Sequence, residues 1–346
     1  MMNNKTQLPI AVIGSGPAGL AAANALVTLG HQIVIIEKEK NTGGKLSRWH
    51  QLFPGFVDAN ELRENLISPL KKAKVEVLTK TEIQSLGLSE NILEISAISG
   101  EKIKTKGAIL ANGFTEFDAH RKEEYGYGIY KNVLSSADIE EMLSKNGRLA
   151  IENNDIKRIG IIHCVGSRDE KVGNSYCSKV CCICAVKQAI EMKKLYPNAE
   201  VYNFYMDLRL FGRGYEELYQ EAQMKWRVNF IRGRVSELAE DHQGKIRLKT
   251  EDTLTGTPLK MSLDLVILMV GMEGNKSIVF DSEKTEADTN GFFPFPENFI
   301  GENQTSLPNV MVAGACKGPS TVTDAINDGR SAALALHDYL INRAAK

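Results

Sequence analysis

The feature that most restricts how this 346-residue chain can fold is Gly14-Ser15-Gly16-Pro17-Ala18-Gly19. It lies between a short apolar strand, Leu8 to Val12, and an alanine-rich helix, Leu20 to Leu29, that Gly30 closes. A further strand, Gln32 to Ile36, ends in Glu37. In a strand, turn, helix, strand unit the first glycine makes the tight turn and the second lets a pyrophosphate approach the backbone; the third lets helix and strand pack closely. The helix N-terminus then stabilises phosphate charge, and Glu37 is placed to accept hydrogen bonds from an adenosine ribose. A bare G-x-G-x-x-G is a weak signal. In this context it predicts a dinucleotide site at Gly14, Gly16, Pro17, Ala18, Gly19, Glu37 and Lys38, rather than a turn without a ligand.

Three further stretches indicate flavin rather than nicotinamide. Asn41-Thr42-Gly43-Gly44-Lys45-Leu46 is a second glycine loop, placed to pass along the pyrophosphate through Gly44, Lys45 and Leu46. Gly107 to Gly113 ends a strand in a small-residue turn, Ala111-Asn112-Gly113. Ser306 to Cys316 forms another strand and turn, followed by a helix from about Thr321 to the C-terminus. These pieces resemble the FAD-binding elements of the two-dinucleotide-domain flavoprotein disulfide reductases, the thioredoxin reductase branch especially. The resemblance implies that the last helix points Thr323, Asp324 and Ala325 at the flavin pyrimidine, where backbone donors stabilise the reduced ring. By its residue type alone, Asp324 also reads as a helix cap. Gly314 and Ala315 stand in the turn where many relatives carry an aspartate for the ribityl chain.

The implied fold class is α/β: two Rossmann-like three-layer domains of the thioredoxin reductase type. Residues 1–117 and 285–346 would form the FAD domain, with a second α/β domain, residues 118–284, inserted. In the insert, Lys157 to Ile162, Glu200 to Tyr205, Arg227 to Arg232 and Ser262 to Val270 read as strands. Ala185 to Tyr196 and Tyr215 to Lys225 read as helices, an alternation that suits a parallel sheet. The insert has lost its own nucleotide fingerprint. Where a second glycine turn would follow the first strand, the chain has Gly160-Ile161-Ile162-His163-Cys164-Val165-Gly166-Ser167-Arg168. NAD(P)H is therefore not expected there in the usual way.

Five of the six cysteines, Cys164, Cys177, Cys181, Cys182 and Cys184, fall within twenty-one residues. Four thiolates are what a [4Fe-4S] cluster needs. Cys164 would arrive from the strand end, across a polar loop, Ser167 to Ser175, able to fold back. A helix would put Cys177 and Cys181 on one face, with Cys182 one residue further round and Cys184 as the spare. Other readings remain: buried inert cysteines on an apolar helix face, a redox dithiol at Cys181-x-x-Cys184, and a structural zinc, although the paired C-x-x-C knuckles zinc usually takes are absent.

The cysteine spacing, thirteen residues from Cys164 to Cys177, four to Cys181 and one to Cys182, resembles the cluster motif in the flavin-bearing A subunit of heterodisulfide reductases. Tyr205-Met206-Asp207-Leu208-Arg209, Gly212-Arg213-Gly214-Tyr215-Glu216-Glu217, Phe230-Ile231-Arg232-Gly233-Arg234 and Gly314-Ala315-Cys316-Lys317-Gly318-Pro319 resemble that family too. The resemblance implies that Cys164, Cys177, Cys181 and Cys182 ligate the cluster, that Cys184 and Cys316 do not, and that Lys187 faces the flavin. Lys187 lies about one and a half helical turns past Cys182, so one short helix reaches both cofactors; the bland reading is a solvated lysine. His163 is expected to be packed or hydrogen-bonded. Arg168, Lys171 and Lys179 either offset cluster charge or belong to a solvated loop.

Forty-two Lys plus Arg against forty-three Asp plus Glu leave a formal charge of −1, which favours neither a nucleic-acid nor an anionic-membrane partner. No apolar run of about eighteen residues occurs and Met1 to Leu8 is polar, so the expectation is a soluble, cytoplasmic protein. Full-length relatives carry further iron–sulfur runs of the form C-x-x-C-x-x-C-x-x-x-C-P, which this sequence does not contain. Such a form resembles the A subunit of the heterodisulfide-reductase-like complex of sulfur oxidisers, with the corresponding component of a quinone-interacting complex as a near neighbour. The resulting expectation is an oxidoreductase subunit carrying FAD and [4Fe-4S], in a homodimer core, with other complex subunits and a lipoate-binding protein as partners. The rivals are an NAD(P)H-dependent disulfide reductase using Cys181 and Cys184, and a non-catalytic assembly scaffold.

Overall fold

The computed structural model describes residues 8–151, 155–275, 278–280, 288–293 and 301–344. The chain divides into two compact units, one of residues 1–47, 60–115 and 273–346, the other of residues 48–59 and 116–272. The expected boundary at 284/285 lies outside the described residues. Arg48–Ala59 belongs to the second unit, although nothing in its sequence separates it from the first.

The first unit is built on a five-stranded parallel sheet in the order Val310–Val312, Gly107–Leu110, Ile10–Ile13, Ile33–Ile36, Glu76–Leu78. Ile10–Ile13, Ile33–Ile36 and Gly107–Leu110 are buried along their whole length, as strands covered on both faces must be. Their side chains alternate between two apolar layers. Ile10, Val12, Ile33, Ile35 and Ile109 pack with helices Pro17–Thr28 and Val322–Ala344. Ala11, Ile13, Val34, Ile36 and Leu110 pack on the opposite side with Ile83, Leu86, Leu93 and Ile95 from a small second sheet. The two helices approach closely because Gly329 faces the backbone of Ala18, where an added Cβ would come within 2.2 Å of the Ala18 carbonyl oxygen.

The second unit repeats the plan. Its parallel sheet runs Val133–Ser135, Leu265–Val270, Arg158–Val165, Glu200–Tyr205, Asn229–Arg232. Helices Ser136–Asn146, Cys181–Leu195 and Tyr215–Met224 accompany it. Ser262 to Val270, which reads as one strand, is two: Thr257–Leu263 belongs to an antiparallel three-stranded sheet, and Leu265–Val270 to the parallel one. Asp264 makes the corner, accepting hydrogen bonds from the backbone N–H groups of Lys157 and Arg158 at 2.9 Å each. Among the described residues no helix is long and apolar enough to cross a membrane.

Candidate functional site

In the first unit the sheet ends at Ile13 and the helix begins at Pro17, so residues 14–16 make the whole turn. Gly14 holds φ +99°, and a Cβ there would stand 2.3 Å from the Ala111 carbonyl oxygen. At Gly19 an added Cβ would come within 1.9 Å of the Gly14 oxygen, whereas at Gly16 it would meet nothing within 4 Å. Two glycines are thus demanded by packing, and the middle one leaves open space above a helix start that Gly16 cannot cap with a side chain. Gly44, at φ +54°, sits against Gly16, where a Cβ would come within 2.9 Å of the Gly16 Cα. Lys45 places its ammonium 4.5 Å from the centre of the Phe114 ring. Leu46 is buried, and Lys38 is exposed.

Glu37 is buried at the end of its strand. Its Oε2 accepts from the Ser15 N–H at 2.9 Å and from the Ser15 hydroxyl, and its Oε1 accepts from the Glu39 N–H at 2.9 Å. A carboxylate has about four acceptor positions, so capacity for a further donor remains. Ser15 in turn accepts from the Gly43 N–H at 3.1 Å, tying the fingerprint to the second glycine loop. Both amide atoms of Asn112 are buried and, among the described residues, meet no hydrogen-bond partner. Buried polar groups are rarely left so, and an orphaned amide beside an open glycine turn fits a polar ligand.

At the far end of this sheet Gly314 holds φ +78°, and its N–H donates to Asp328 at 2.6 Å. Asp328 also accepts from Asn303 at 2.8 Å and from Lys317 at 2.9 Å. A carboxylate absent from the 314–315 turn is thus supplied from the helix, and it grips the turn itself. Asp324 and Thr321 form a reciprocal cap: the Asp324 N–H donates to Thr321 Oγ1 at 3.0 Å, and the Thr321 N–H to Asp324 Oδ2 at 3.2 Å. Thr323 is exposed; Ala325 is buried. Cys316 donates to the carbonyls of Ala313 at 3.1 Å and Leu110 at 3.5 Å, and burial pushes its thiol up to about 12.

The second unit places the other cysteines at the corresponding strand end. Cys164 lies in strand Arg158–Val165 where its register with Leu265–Val270 is interrupted, at φ +58°. Arg168 at φ +52° and Lys179 at φ +60° share this left-handed conformation, costly for residues with a Cβ. The Arg168 N–H bonds to the Tyr176 oxygen at 2.9 Å and the Asp169 N–H to the Asn174 oxygen at 2.8 Å, so the polar loop folds back on itself. Cys164 Sγ and Cys181 Sγ stand 3.7 Å apart. Cys182 Sγ lies 3.7 Å from the Asp207 carbonyl oxygen. Cys177 is not on a helix face with Cys181, because the helix begins only at Cys181; it lies in the preceding loop, its sulfur accepting from the Lys179 N–H at 3.3 Å. The charge of Arg168 reaches both Cys164 and Cys177, and its guanidinium bonds Asp207 at 2.5 Å.

The thiols are unequal. Cys181 donates toward Cys164 and Cys182, which raises its own pKa far above the usual range and lowers theirs. Burial opposes both lowered values, and the positive charge favoured on His163 assists them. The Nε2–H of that imidazole donates to Asn203 Oδ1 at 2.9 Å, while its Nδ1 has no partner within hydrogen-bond geometry among the described residues. Burial disfavours its charge, but the Cys182 sulfur outweighs burial and raises its pKa. All six cysteines are free. Burial pushes the Cys184 thiol up to about 12, and after burial the charges of Lys187 and Glu140 act on it most strongly. Among the described residues no three His, Cys, Asp or Glu side chains converge tightly enough to hold a single metal ion.

Lys187 is not a solvated surface lysine. Its side chain is 2% exposed, and its ammonium contacts Glu140 Oε1, Glu191 Oε2 at 3.1 Å and the Gln51 carbonyl at 2.9 Å. Burial pulls its pKa down, but the two carboxylates outweigh it and the net shift is upward. Of this group only Glu191, four residues on along the helix, was legible from spacing. Glu140 and Gln51 are remote in sequence and carried no signal.

A family model described as pyridine nucleotide-disulphide oxidoreductase matches residues 8–329. The chain belongs to that family. Within it the chain is like the A subunits of heterodisulfide reductases. It is 42% identical over 243 residues to the A subunit of the H(2)/formate:CoB-CoM heterodisulfide,ferredoxin reductase of Methanococcus maripaludis, covering 68% of this chain and 37% of that protein. It is 30% identical over an alignment of 418 residues to the A iron-sulfur subunit of the CoB–CoM heterodisulfide reductase of Methanocaldococcus jannaschii, covering 94% of this chain and 63% of that protein. The chain thus spans less than two thirds of the length of either relative. In fold it is similar to thioredoxin reductases of Lactococcus lactis (19% identity, TM-score 0.68, 97% of this chain and 100% of that one) and of T. acidophilum (18%, 0.66, 97% and 100%).

Proposed function

We propose that this chain is an electron-transfer oxidoreductase subunit of a heterodisulfide-reductase-like complex, holding FAD in its first unit and a [4Fe-4S] cluster in its second. The observation that carries the reading is the substitution of one strand end for another. Where the first central strand runs straight out into Gly14, the second carries Cys164 in its last residues, before Gly166, with Cys181 Sγ 3.7 Å from it in the first turn of the following helix and Cys182 next in that turn. Bound in these places, a flavin exchanges electrons in pairs and a cluster exchanges them singly.

Gly14, Gly16, Pro17, Ala18, Gly19, Gly44, Lys45 and Leu46 line the pyrophosphate in this reading. Glu37 and Lys38 take the ribose side, Asn112 uses its unpartnered amide, and Ala111, Gly113, Gly314, Ala315, Thr323, Asp324 and Ala325 supply backbone or close packing. Asp324 does so while already engaged as a cap. Cys164, Cys177, Cys181 and Cys182 are the proposed cluster ligands. A cluster takes one thiolate per iron rather than several on one ion, so the lack of a one-ion site among the described residues is compatible with it. Arg168 and the favoured charge on His163 offset thiolate charge. Lys187, with its ammonium held charged, is the residue that the family resemblance assigns to the flavin reaction.

We further propose that the complex works in cytoplasmic sulfur oxidation, with a homodimeric core and a lipoate-binding protein served through the complex, a reading that the family resemblance supports; a quinone-interacting complex is the neighbouring assignment. Anaerobic purification tests the cofactors directly. About four irons and one flavin per chain, with an EPR signal on reduction, support the reading. The 3.7 Å sulfur contact favours one competitor, a redox dithiol of Cys164 and Cys181 rather than of Cys181 and Cys184. Iron-free protein in which one dithiol oxidises reversibly would establish that competitor instead.

A further inference from the structure

Of the four proposed cluster ligands, three sit in regular structure and one does not. Cys164 lies in strand Arg158–Val165, and Cys181 and Cys182 begin helix Cys181–Leu195. Cys177 lies in the loop between them, where neither a helix nor a strand fixes its sulfur. A ligand in such a place depends on the contacts around it for its geometry.

The residues on either side of Cys177 supply those contacts, and both reach the same point. The Tyr176 hydroxyl donates to the Met272 carbonyl at 2.7 Å, and the Met272 N–H donates to Ser178 Oγ at 3.0 Å. One residue is thus gripped at both of its backbone polar groups by the side chains that flank Cys177. Ser178 is 1% exposed, and Met272 is buried too. The residue before Met272 ties to the other end of the site: the Gly271 N–H donates to the Val165 oxygen at 2.8 Å, next to Cys164. A Cβ at Gly271 would come within 2.9 Å of both the Gly166 oxygen and Ser178 Oγ, so this approach needs glycine. Gly271 and Met272 therefore join the neighbours of Cys164 to the neighbours of Cys177. Further back, the loop is anchored separately by the buried Asp169, which takes the Lys122 ammonium at 2.7 Å and the Arg234 guanidinium at 2.8 Å.

We propose that Tyr176 and Ser178 are positioning residues for the cluster: by holding Met272 between them they present Cys177 as the fourth ligand, as helix and strand do for the other three. The proposal rests on the reading of Cys164, Cys177, Cys181 and Cys182 as cluster ligands. Neither hydroxyl is a ligand itself; each acts through the place it gives Cys177. With either hydroxyl removed, one Met272 backbone group loses its partner and Cys177 ranges over more positions.

Tyr176→Phe and Ser178→Ala each delete one hydroxyl and leave all six cysteines in place. The test measures iron and flavin in the anaerobically purified full chain and records EPR before and after reduction. Alkylation of each cysteine by iodoacetamide is then followed after a chelator has stripped the iron. A cluster deprived of one thiolate loses the iron which that thiolate held. Iron is therefore expected to fall from about four to about three per chain with flavin retained, and an EPR signal to appear before reduction. In the stripped protein Cys177 is alkylated about tenfold faster than in wild type, while Cys184 and Cys316 keep their rates. Iron and flavin lost together, with a lowered denaturation midpoint, mark general damage and overturn the proposal. Wild-type iron content and EPR in both variants overturn it equally. Wild-type protein without iron refutes the cluster reading instead, and the alkylation rates then decide alone: faster reaction confined to Cys177 upholds the grip of Tyr176 and Ser178 on it, and an unchanged rate overturns it.

Discussion

The two units share one plan and differ at one strand end. In each, the central strand is flanked on one side by the strand that follows the next helix: Ile10–Ile13 by Ile33–Ile36, and Arg158–Val165 by Glu200–Tyr205. In the first, residues 14–16 carry the chain into its helix; in the second the connection takes residues 166–180. The first leaves its strand through Gly14 at φ +99°; the second holds Cys164 at φ +58° within its last residues and leaves through Gly166 at φ +73°. A left-handed cysteine costs roughly 1–3 kcal/mol where glycine costs little. The same end of the sheet therefore carries open glycine backbone in one unit and a sulfur in the other.

The largest effect that can break this comparison is on iron. Cys182→Ala removes one of the thiolates with a depressed pKa, and the expected outcome is loss of most of the iron from anaerobically purified protein with flavin retained. Equal loss of flavin would show that the two strand ends are not independent. Lys187→Met comes next. It leaves Glu140 and Glu191 buried without their cation, at an expected cost of about 3–5 kcal/mol in chemical denaturation of the full chain. Because the folded Lys187 pKa is raised, the stabilisation it gives is complete below the unfolded lysine value. It is lost only as pH rises through the folded one, so the difference from wild type is constant across neutral pH.

Gly14→Ala asks whether the first turn requires glycine. A Cβ 2.3 Å from the Ala111 oxygen at φ +99° is expected to cost about 2–3 kcal/mol and to lower flavin content, read by absorbance of the purified protein. Asp264→Asn probes the second unit alone, at an expected cost of about 2 kcal/mol at neutral pH through lost charge-assisted hydrogen bonds. Burial opposes ionisation of Asp264, but the Lys157 N–H and the Lys245 ammonium outweigh it and the folded pKa is lowered. Its contribution is present above the unfolded value and disappears as pH falls through the folded one; the mutant and wild-type denaturation midpoints should converge in strong acid. Smallest is Thr321→Ala, which removes the cap of helix Val322–Ala344 and should lower stability by about 1 kcal/mol.

The charge network around Lys187 shows why part of the site was invisible in the sequence. Glu191 was readable as an i+4 neighbour, but Glu140 reaches Lys187 across 47 positions and His50 reaches Glu191 across 141. No periodicity links residues so far apart. The shared helix face expected for Cys177 and Cys181 failed for a related reason: a spacing of four indicates one only if both residues are helical, and the helix starts at Cys181. Likewise Ser262 to Val270 is an unbroken apolar-rich stretch in which Asp264 makes a corner by accepting from strand Arg158–Val165 and the residue before it.

What the sequence by itself determined is the set of local requirements. Gly19 has its meaning within a few residues of itself, continuous apolar runs make strands covered on both faces, and clustered cysteines name a chemistry through their side chains. What only the tertiary structure decided is which distant groups share a buried space: Asn112 left without a partner, Asp328 gripping the Gly314 turn, Cys164 against Cys181, and Lys187 between two carboxylates with His50 toward water. Burial is the physical reason for the division. A charge or thiol acquires its proton affinity from the solvent it loses and the neighbours it gains, and both are set by segments far away along the chain.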